Sequence, residues 1–315
     1  MKSIFKIGHH TDLENITGCT VILCPEATVA SCYIGGSAPG SRELALLAPD
    51  KKIESIHALL LTGGSAFGLN AASGVMQFLE EKNIGYSTPY GLIPIVPAAV
   101  IYDLNIGNNK IRPTAEDAYQ ACKDAGADFS AQGSMGAGTG ATVGKWAGIK
   151  SGMKGGIGIK EIKNGKAWVL ALSVVNAVGD IINYNGEIIA GALDKNNNFL
   201  ANAREQKRWF SPATGFGQNT VLSVIMTNIR LTKLQTYILA RRGQNGLARS
   251  IIPASTSYDG DVIFSLSHGE VDLDPEIAYE MGAAAIQASI IESAFHAQSM
   301  GGFLASAELI REKHI

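Results

Sequence analysis

Four short stretches of this chain carry side chains able to do covalent chemistry. "GFGQNTVLSVIMTN" (215–228) places Asn219 and Thr220 at the mouth of a β-branched, apolar run. "YDGDVIFSLS" (258–267) sets Asp259 and Asp261 two residues apart, with Gly260 between them. Lys145 stands in the glycine-rich "GAGTGATVGKW" (136–146), and Asn176 ends the apolar run of "AWVLALSVVNAVGD" (167–180). A threonine hydroxyl is a poor nucleophile until a base takes its proton. The cheapest such base is the threonine's own α-amine, which ordinarily titrates near ~7.7–8.0, whereas a lysine at about 10.4 needs lowering by about 3 units, roughly 4 kcal/mol. Thr220 gains that amine only if the Asn219–Thr220 bond is cut. A loop-exposed Asn-Thr peptide at a strand start lets the hydroxyl attack the preceding carbonyl, with an N→O acyl shift and ester hydrolysis to follow. Before the cut the Thr220 nitrogen is an amide, so that step needs another proton acceptor; Lys145, Asp259 and Asp261 are the candidates.

The neighbouring residues fit such a site. In extended backbone Asp259 and Asp261 share a face, and Gly260 permits close approach of a second backbone. The plainer reading of Asp-Gly-Asp is a turn with solvated charges, or a hard-cation site. Asn176 reads either as a strand-end turn residue or as an N–H donor to a developing oxyanion. Lys145 reads either as a surface or ion-pair lysine or as a participant in the chemistry.

Other chemistries find little support. His9, His10, His57, His268, His296 and His314 form no H-x-x-x-H or similar metal spacing. No G-x-S-x-G elbow occurs. "GSMGAGTGATVGK" misses the phosphate-loop pattern because Trp146 follows Lys145, and "LTGGSAFG" lacks the dinucleotide spacing. Cys19, Cys24, Cys32 and Cys122 contain no C-x-x-C pair and read as buried free thiols. No cofactor and no metal are implied. The net charge of -2 gives no footprint for nucleic acid or an anionic membrane. The N-terminus lacks an apolar signal core, and no stretch is long and apolar enough to span a bilayer. A cytoplasmic protein is expected.

The elements that must position these residues are readable in outline. Of the 315 residues 46% are hydrophobic and 17% charged, against roughly 25% charged in a typical domain, which points to a large core and a subunit interface. "CTVILC" (19–24) and "ATVASCYI" (27–34) read as strands paired as a hairpin across Pro25-Glu26. "HALLLTGG" (57–64) and "LIPIVPAAVIYDL" (92–104) read as buried strand regions. So do 167–180, the Thr220 run and 261–267. Helical periodicity marks 66–83, 231–251 and 274–299. Residues 114–126 form a helix with Thr114 as cap, Asp117 in the capping box and Gly126 as terminator. The polar stretch 194–218 reads as loop. Strand runs followed by helix runs favour α+β layering over a doubly wound sheet.

The whole pattern resembles the DmpA/NylC-type self-processing aminopeptidases and amidases, peptidase family S58, which includes the D-aminopeptidases, the β-peptidyl aminopeptidases and the nylon-oligomer hydrolases. The resemblance is carried by "GHHTDLENITGCTVIL" (8–23), "GGSAPGSRE" (35–43), "LLLTGGSAFGLNAASGV" (59–75), "VPAAVIYDL" (96–104), "GAGTGATVGKW", "VVNAVGD" (174–180), "NTVLSVIMTN" and "YDGDVIFSLS". It implies a single four-layer αββα domain over 1–315, an N-terminal-nucleophile-like fold that cleaves itself into an α fragment (1–219) and a β fragment (220–315). It implies Thr220 as nucleophile, Asp259 and Asp261 as residues that orient it and its amine, and Asn176 as an oxyanion-stabilising amide. Lys145 falls near a lysine of the nylon-hydrolase branch, where the other branch has a Tyr close by. The Asn-Thr pair also follows the nylon-hydrolase branch rather than the Gly-Ser of the D-aminopeptidases, whose Asp259 and Asp261 counterparts are Ser and Glu. The implied activity is hydrolysis, through an acyl-enzyme, of an amide next to an N-terminal amino acid or of a short oligomeric amide. The implied assembly is a homo-oligomer of αβ units, with a tetramer among the possibilities. The alternatives are an acyltransferase like the ornithine acetyltransferases, or a binding protein of the same fold that never cleaves.

Overall fold

A computed structural model of the continuous chain describes residues 4–201 and 219–313. The polar stretch 202–218 lies outside the described residues, including most of the expected loop. Two five-stranded sheets are built from ten strands: β1 (Lys6–Asp12), β2 (Thr17–Leu23), β3 (Val29–Ile34), β4 (Ser41–Arg42), β5 (Ala58–Thr62), β6 (Ala98–Val100), β7 (Gly156–Asn164), β8 (Ala167–Asn176), β9 (Thr220–Ile229) and β10 (Val262–Val271). The first sheet has the order β1-β2-β5-β6-β4 and the second β7-β8-β9-β10-β3. Four long helices accompany them: α1 (Ala72–Glu81), α2 (Ala115–Lys123), α3 (Lys233–Ser250) and α4 (Pro275–His296).

Side-chain alternation along the strands fixes the layering, because successive residues point to opposite faces. In β5, Leu59 and Leu61 join a central core with Leu170, Leu172 and Val174 of β8 and Leu222, Val224 and Met226 of β9. Ala58 and Leu60 face the other way, onto Val75 and Leu79 of α1 and Ala118 and Ala121 of α2. In the second sheet Val169, Ala171, Val221 and Ile225 face Leu239 and Leu247 of α3 and Ile286 and Ile290 of α4. Three apolar interfaces thus separate four layers, helices, sheet, sheet and helices, which is the αββα sandwich. Both β8 and β9 are buried along all ten residues. That explains why they read as continuous apolar runs rather than alternating ones.

Each sheet contains one parallel pair, β5 with β6 and β9 with β10. Parallel neighbours need a crossover; α1 lies in the first and α3 in the second. The predicted cap of α2 is present: Thr114 Oγ1 accepts from the Asp117 N–H, and Asp117 returns a bond to the Thr114 N–H. A second capping box, Thr232 with Gln235, starts α3.

Three expectations need correction. β2 and β3 do not form a hairpin. β2 pairs with β1 and β5, whereas β3 pairs with β10 in the opposite sheet. The Pro25-Glu26 link therefore carries the chain between layers, because β3 completes the edge beside β10. The helix expected over 66–83 begins as a 3-10 turn, Ser65–Ala71, and turns α-helical at Ala72. Gly126 does not terminate α2, which ends at Lys123; its N–H and carbonyl instead pair with Ile7 at the β1 edge. Among the described residues no helix is long and apolar enough to cross a membrane.

Candidate active site

Thr220 is the first residue of β9 and pairs in register with Asn176, the last of β8. Both have the parity of the inward-facing residues of their strands, so both point between the sheets. The Thr220 hydroxyl folds back on the peptide before it, with Oγ1 donating to the Asn219 carbonyl at 2.6 Å. That carbonyl also accepts the Gly260 N–H at 2.7 Å. The bond that self-cleavage would break is therefore buried and ordered, its oxygen already held by a backbone donor. Gly260 is required here because a Cβ on it would lie 2.6 Å from the Ala38 carbonyl and 3.0 Å from Thr220 Oγ1.

The Asp-Gly-Asp stretch is not a solvated turn. Asp259 and Asp261 are each 2% exposed. Asp261 Oδ1 accepts the Val221 N–H at 2.8 Å, locking the start of β9, and Oδ2 accepts the Ser255 N–H and hydroxyl at 3.1 and 3.0 Å. Asp259 Oδ2 accepts the N–H and hydroxyl of Thr256 at 2.8 and 2.7 Å. Burial pushes the Asp261 carboxyl up to about 7, and the nearby charge of Asp259 adds to the rise. Burial raises Asp259 as well, opposed by the Thr256 hydrogen bonds and the charge of Lys145. The backbone carbonyls of both aspartates take the N–H groups of Gly35, Gly36, Ser37 and Ala38. Gly36 has no room for a side chain in that seam: a Cβ would meet Asp259 O and Asp261 N at 2.3 Å. Gly36 of "GGSAPG" is thus explained by the stitch that carries Ala38 to the site.

Lys145 is buried, and its hydrogen-bond partner is a neutral amide. Nζ donates to Asn176 Oδ1 at 2.8 Å and reaches the Asn176 carbonyl at 3.4 Å. Burial lowers its ammonium to about 7, against the pull of Asp259 and with a push from a second lysine, Lys154. A buried lysine near neutrality can accept a proton. Its turn is anchored by Trp146, whose Nε1–H donates to Asp180 Oδ1 at 2.8 Å. Asn176 is a hub. Oδ1 also accepts the N–H and hydroxyl of Thr142 at 3.0 and 3.3 Å, and Nδ2 donates to the Tyr102 carbonyl at 3.0 Å.

The structure thus brings together all the candidates: Thr220, Asn219, Asn176, Lys145, Asp259 and Asp261. The donor at the Asn219 carbonyl, however, is the Gly260 N–H, while an N–H of the Asn176 side chain is engaged by Tyr102. Gly260, Thr142, Asp180 and Lys154 escaped the sequence reading. Glycine between two candidate aspartates was the one available signal, and it pointed to close approach rather than to a donor. Thr220 opens into a pocket of about 320 Å³ between the sheets. Ala38, Pro39, Gly40, Ser65, Ala66, Val100 and Tyr102 line it with Thr220. A larger, mostly apolar pocket of about 460 Å³ lies at the β7–β8 hairpin, beside Phe129 and Trp168. No Ser, Thr or Cys among the described residues lines it. Among the described residues no three His, Cys, Asp or Glu side chains converge as metal ligands.

The model of peptidase family S58 matches residues 5–307. The chain belongs to peptidase family S58. An uncharacterized aminopeptidase of Mycobacterium leprae (strain TN) is 36% identical over 337 residues, 94% of this chain and 90% of that one. A 6-aminohexanoate-oligomer endohydrolase of Paenarthrobacter ureafaciens is 28% identical, covering 88% of this chain and 77% of its own. Among solved structures, the L-aminopeptidase D-Ala-esterase/amidase of Ochrobactrum anthropi superposes with a TM-score of 0.74 at 17% identity, over 99% of this chain and 93% of that one. That structure is described as a variant of the Ntn hydrolase fold, and the sandwich of this S58 member is of that type. Membership makes the chain a hydrolase of peptide or amide bonds.

Proposed function

We propose that this S58 chain is an autoproteolytically activated N-terminal-threonine amidase. The observation that carries the reading is the arrangement at the Asn219–Thr220 peptide: hydroxyl against carbonyl, carbonyl on a backbone N–H, and a near-neutral lysine behind Asn176. In the intact chain Lys145 takes the Thr220 hydroxyl proton, and Oγ1 attacks the Asn219 carbonyl carbon. The negative charge that develops on the oxygen meets the Gly260 N–H, a donor already in place and so requiring no reorganisation. The C–N bond breaks as the Thr220 nitrogen recovers the proton from Lys145, leaving an ester. Water hydrolyses the ester, and fragments 1–219 and 220–315 remain associated through the β8–β9 and β10–β3 ladders.

The new α-amine then replaces Lys145 as base. It receives the hydroxyl proton as Oγ1 attacks a substrate amide, and passes it to the departing amine. Water releases the acyl group. Asp259 and Asp261 hold the amine and the strand start in register. The relatives' names support an amide beside an N-terminal amino acid, or a short oligomeric amide, as substrate. The low charge content supports association of αβ units into a homo-oligomer, and the four free cysteines support a reducing compartment, the cytoplasm. Denaturing electrophoresis with N-terminal sequencing tests the reading. Two fragments, the second beginning at Thr220, that merge into one band in Thr220→Ala are the expected result. A cut elsewhere, or full activity in an uncut chain, overturns it.

A further inference from the structure

Lys154 is a second fully buried lysine, and no step of the proposed reaction uses it. It lies in a two-residue strand, Met153–Lys154, that pairs with Thr142–Val143, Lys154 opposite Thr142. Its three ammonium protons are all taken by backbone carbonyls: Gly138 at 3.1 Å, Ala141 at 2.9 Å and Gly155 at 2.9 Å. The nearby opposite charge is Asp103, which is buried and attracts it. Asp103 Oδ2 accepts the Thr17 hydroxyl at 2.7 Å, and Oδ1 accepts the Gly64 N–H at 2.7 Å.

Both residues lead to the site by short routes. The carbonyl cage of Lys154 fixes Ala141, and the next residue, Thr142, is the one whose N–H and hydroxyl hold Asn176 Oδ1. Asp103 follows Tyr102, whose carbonyl holds Asn176 Nδ2 and which also lines the pocket. Through Gly64 it fixes the turn into Ser65 and Ala66, which line the pocket and are tied further by the Ser65 N–H to the Ile101 carbonyl. Asn176 in turn carries Lys145.

We propose that Lys154 and Asp103 form a buried charged brace whose role is to position the Asn176 amide, and with it Lys145 and the pocket wall, for reaction at Thr220. They are positioning residues. The inference rests on the proposed reading of Thr220, and it adds an electrostatic function. The charged groups acting on Lys145 are Asp259, from the turn before β10, and Lys154, from the short strand; Asp180 stands behind Trp146. Burial lowers both ammonium groups to about 7, against the pull of Asp259 on Lys145 and of Asp103 on Lys154; the protonated form of Lys154, held by its three carbonyls, repels a proton on Lys145 and so favours the neutral amine that the first step needs.

The test follows self-cleavage of the full chain after cell-free synthesis, so no external substrate is required, across about pH 6 to 9. It compares Lys154→Met and Asp103→Asn with the parent. In parallel, the Lys145 side chain is titrated by NMR in each variant combined with Thr220→Ala. Removing the like charge in Lys154→Met is expected to raise the Lys145 titration midpoint by about one unit, shift the acid limb of cleavage upward equally, and slow cleavage near neutrality about tenfold. Asp103→Asn preserves the size of the side chain and is expected to slow cleavage several-fold with a native circular dichroism spectrum. A merely structural role would lower the melting temperature and leave the Lys145 midpoint where it was, and that result overturns the proposal. If Lys154→Met does not fold, Asp103→Asn decides: a parental cleavage rate and pH profile refute the brace. A parent that never cleaves sinks the Thr220 reading instead, while the NMR midpoint still judges the brace.

Discussion

The molecule contains two strand–helix–strand crossovers, and the site lies where they meet. One runs β5–α1–β6, the other β9–α3–β10, and each joins a parallel pair. The C-terminal ends of β5 and β6 face the N-terminal ends of β9 and β10. Strand ends differ in what their backbone offers. The first crossover gives carbonyls and small neutral side chains: the Tyr102 carbonyl for Asn176, then Ser65, Ala66 and Val100 as a wall. The second gives N–H groups, from Val221 to Asp261 and from Gly260 to the Asn219 carbonyl. In the proposed reaction negative charge develops on the second side, and that is where the donors are. Under the proposed function the same topology yields a pocket wall from one crossover and the reacting groups from the other.

Substitutions on the two sides should differ in kind. The largest effect belongs to Thr220→Ala, in which both fragment formation and amide hydrolysis fall to background. Electrophoresis and a chromogenic amide assay check this, while Thr220→Ser retains measurable cleavage. Lys145→Met comes next, with cleavage slowed by about 10²–10⁴, the range for a lost general base. With Lys145 lowered to about 7 by burial, the parent's cleavage rate should rise through about pH 7, checked by timed electrophoresis across pH. The same lysine leaves a sign in stability. Its folded-state value is depressed, so its stabilising contribution is present above the unfolded value and lost as pH falls through about 7. Melting curves should therefore favour Lys145→Met over the parent most below pH 7, with the gap narrowing as pH rises toward about 10; a gap independent of pH contradicts the assignment.

On the wall the effects are smaller. Ala66→Leu narrows the pocket and should raise KM about tenfold, leaving self-cleavage near the parental rate, since the Asn219 carbonyl does not lie on that wall. An equal loss of cleavage would erase the distinction between the two crossovers. Leu172→Ala, between the sheets but away from Thr220, should cost about 2–5 kcal/mol in denaturant unfolding and little in the activity of the folded fraction.

Much of this was legible in the chain itself. A hydroxyl residue opening an apolar run, a paired Asp-Gly-Asp and a capped helix at Thr114 are local signals, because turn chemistry and strand propensity act over a few residues. The β2–β3 link was misread for the same reason. Pro25-Glu26 looks like a hairpin turn, and nothing nearby reports that β3 is needed 230 residues later, beside Val262–Ser267 of β10. Lys154 was invisible because lysine is ordinarily a surface residue; only the cage of three carbonyls makes its burial tolerable.

The sequence by itself determined which groups are available and which peptide bond can be attacked, since those follow from residue type and immediate neighbours. Only the tertiary structure decided that Gly260 donates to the Asn219 carbonyl, that Asn176 links Lys145 to Tyr102, and that burial lowers the ammonium groups of Lys145 and Lys154 to about 7. Each of these depends on segments distant in sequence excluding water from the same small volume, and the cost of a buried charge does not exist until that volume closes.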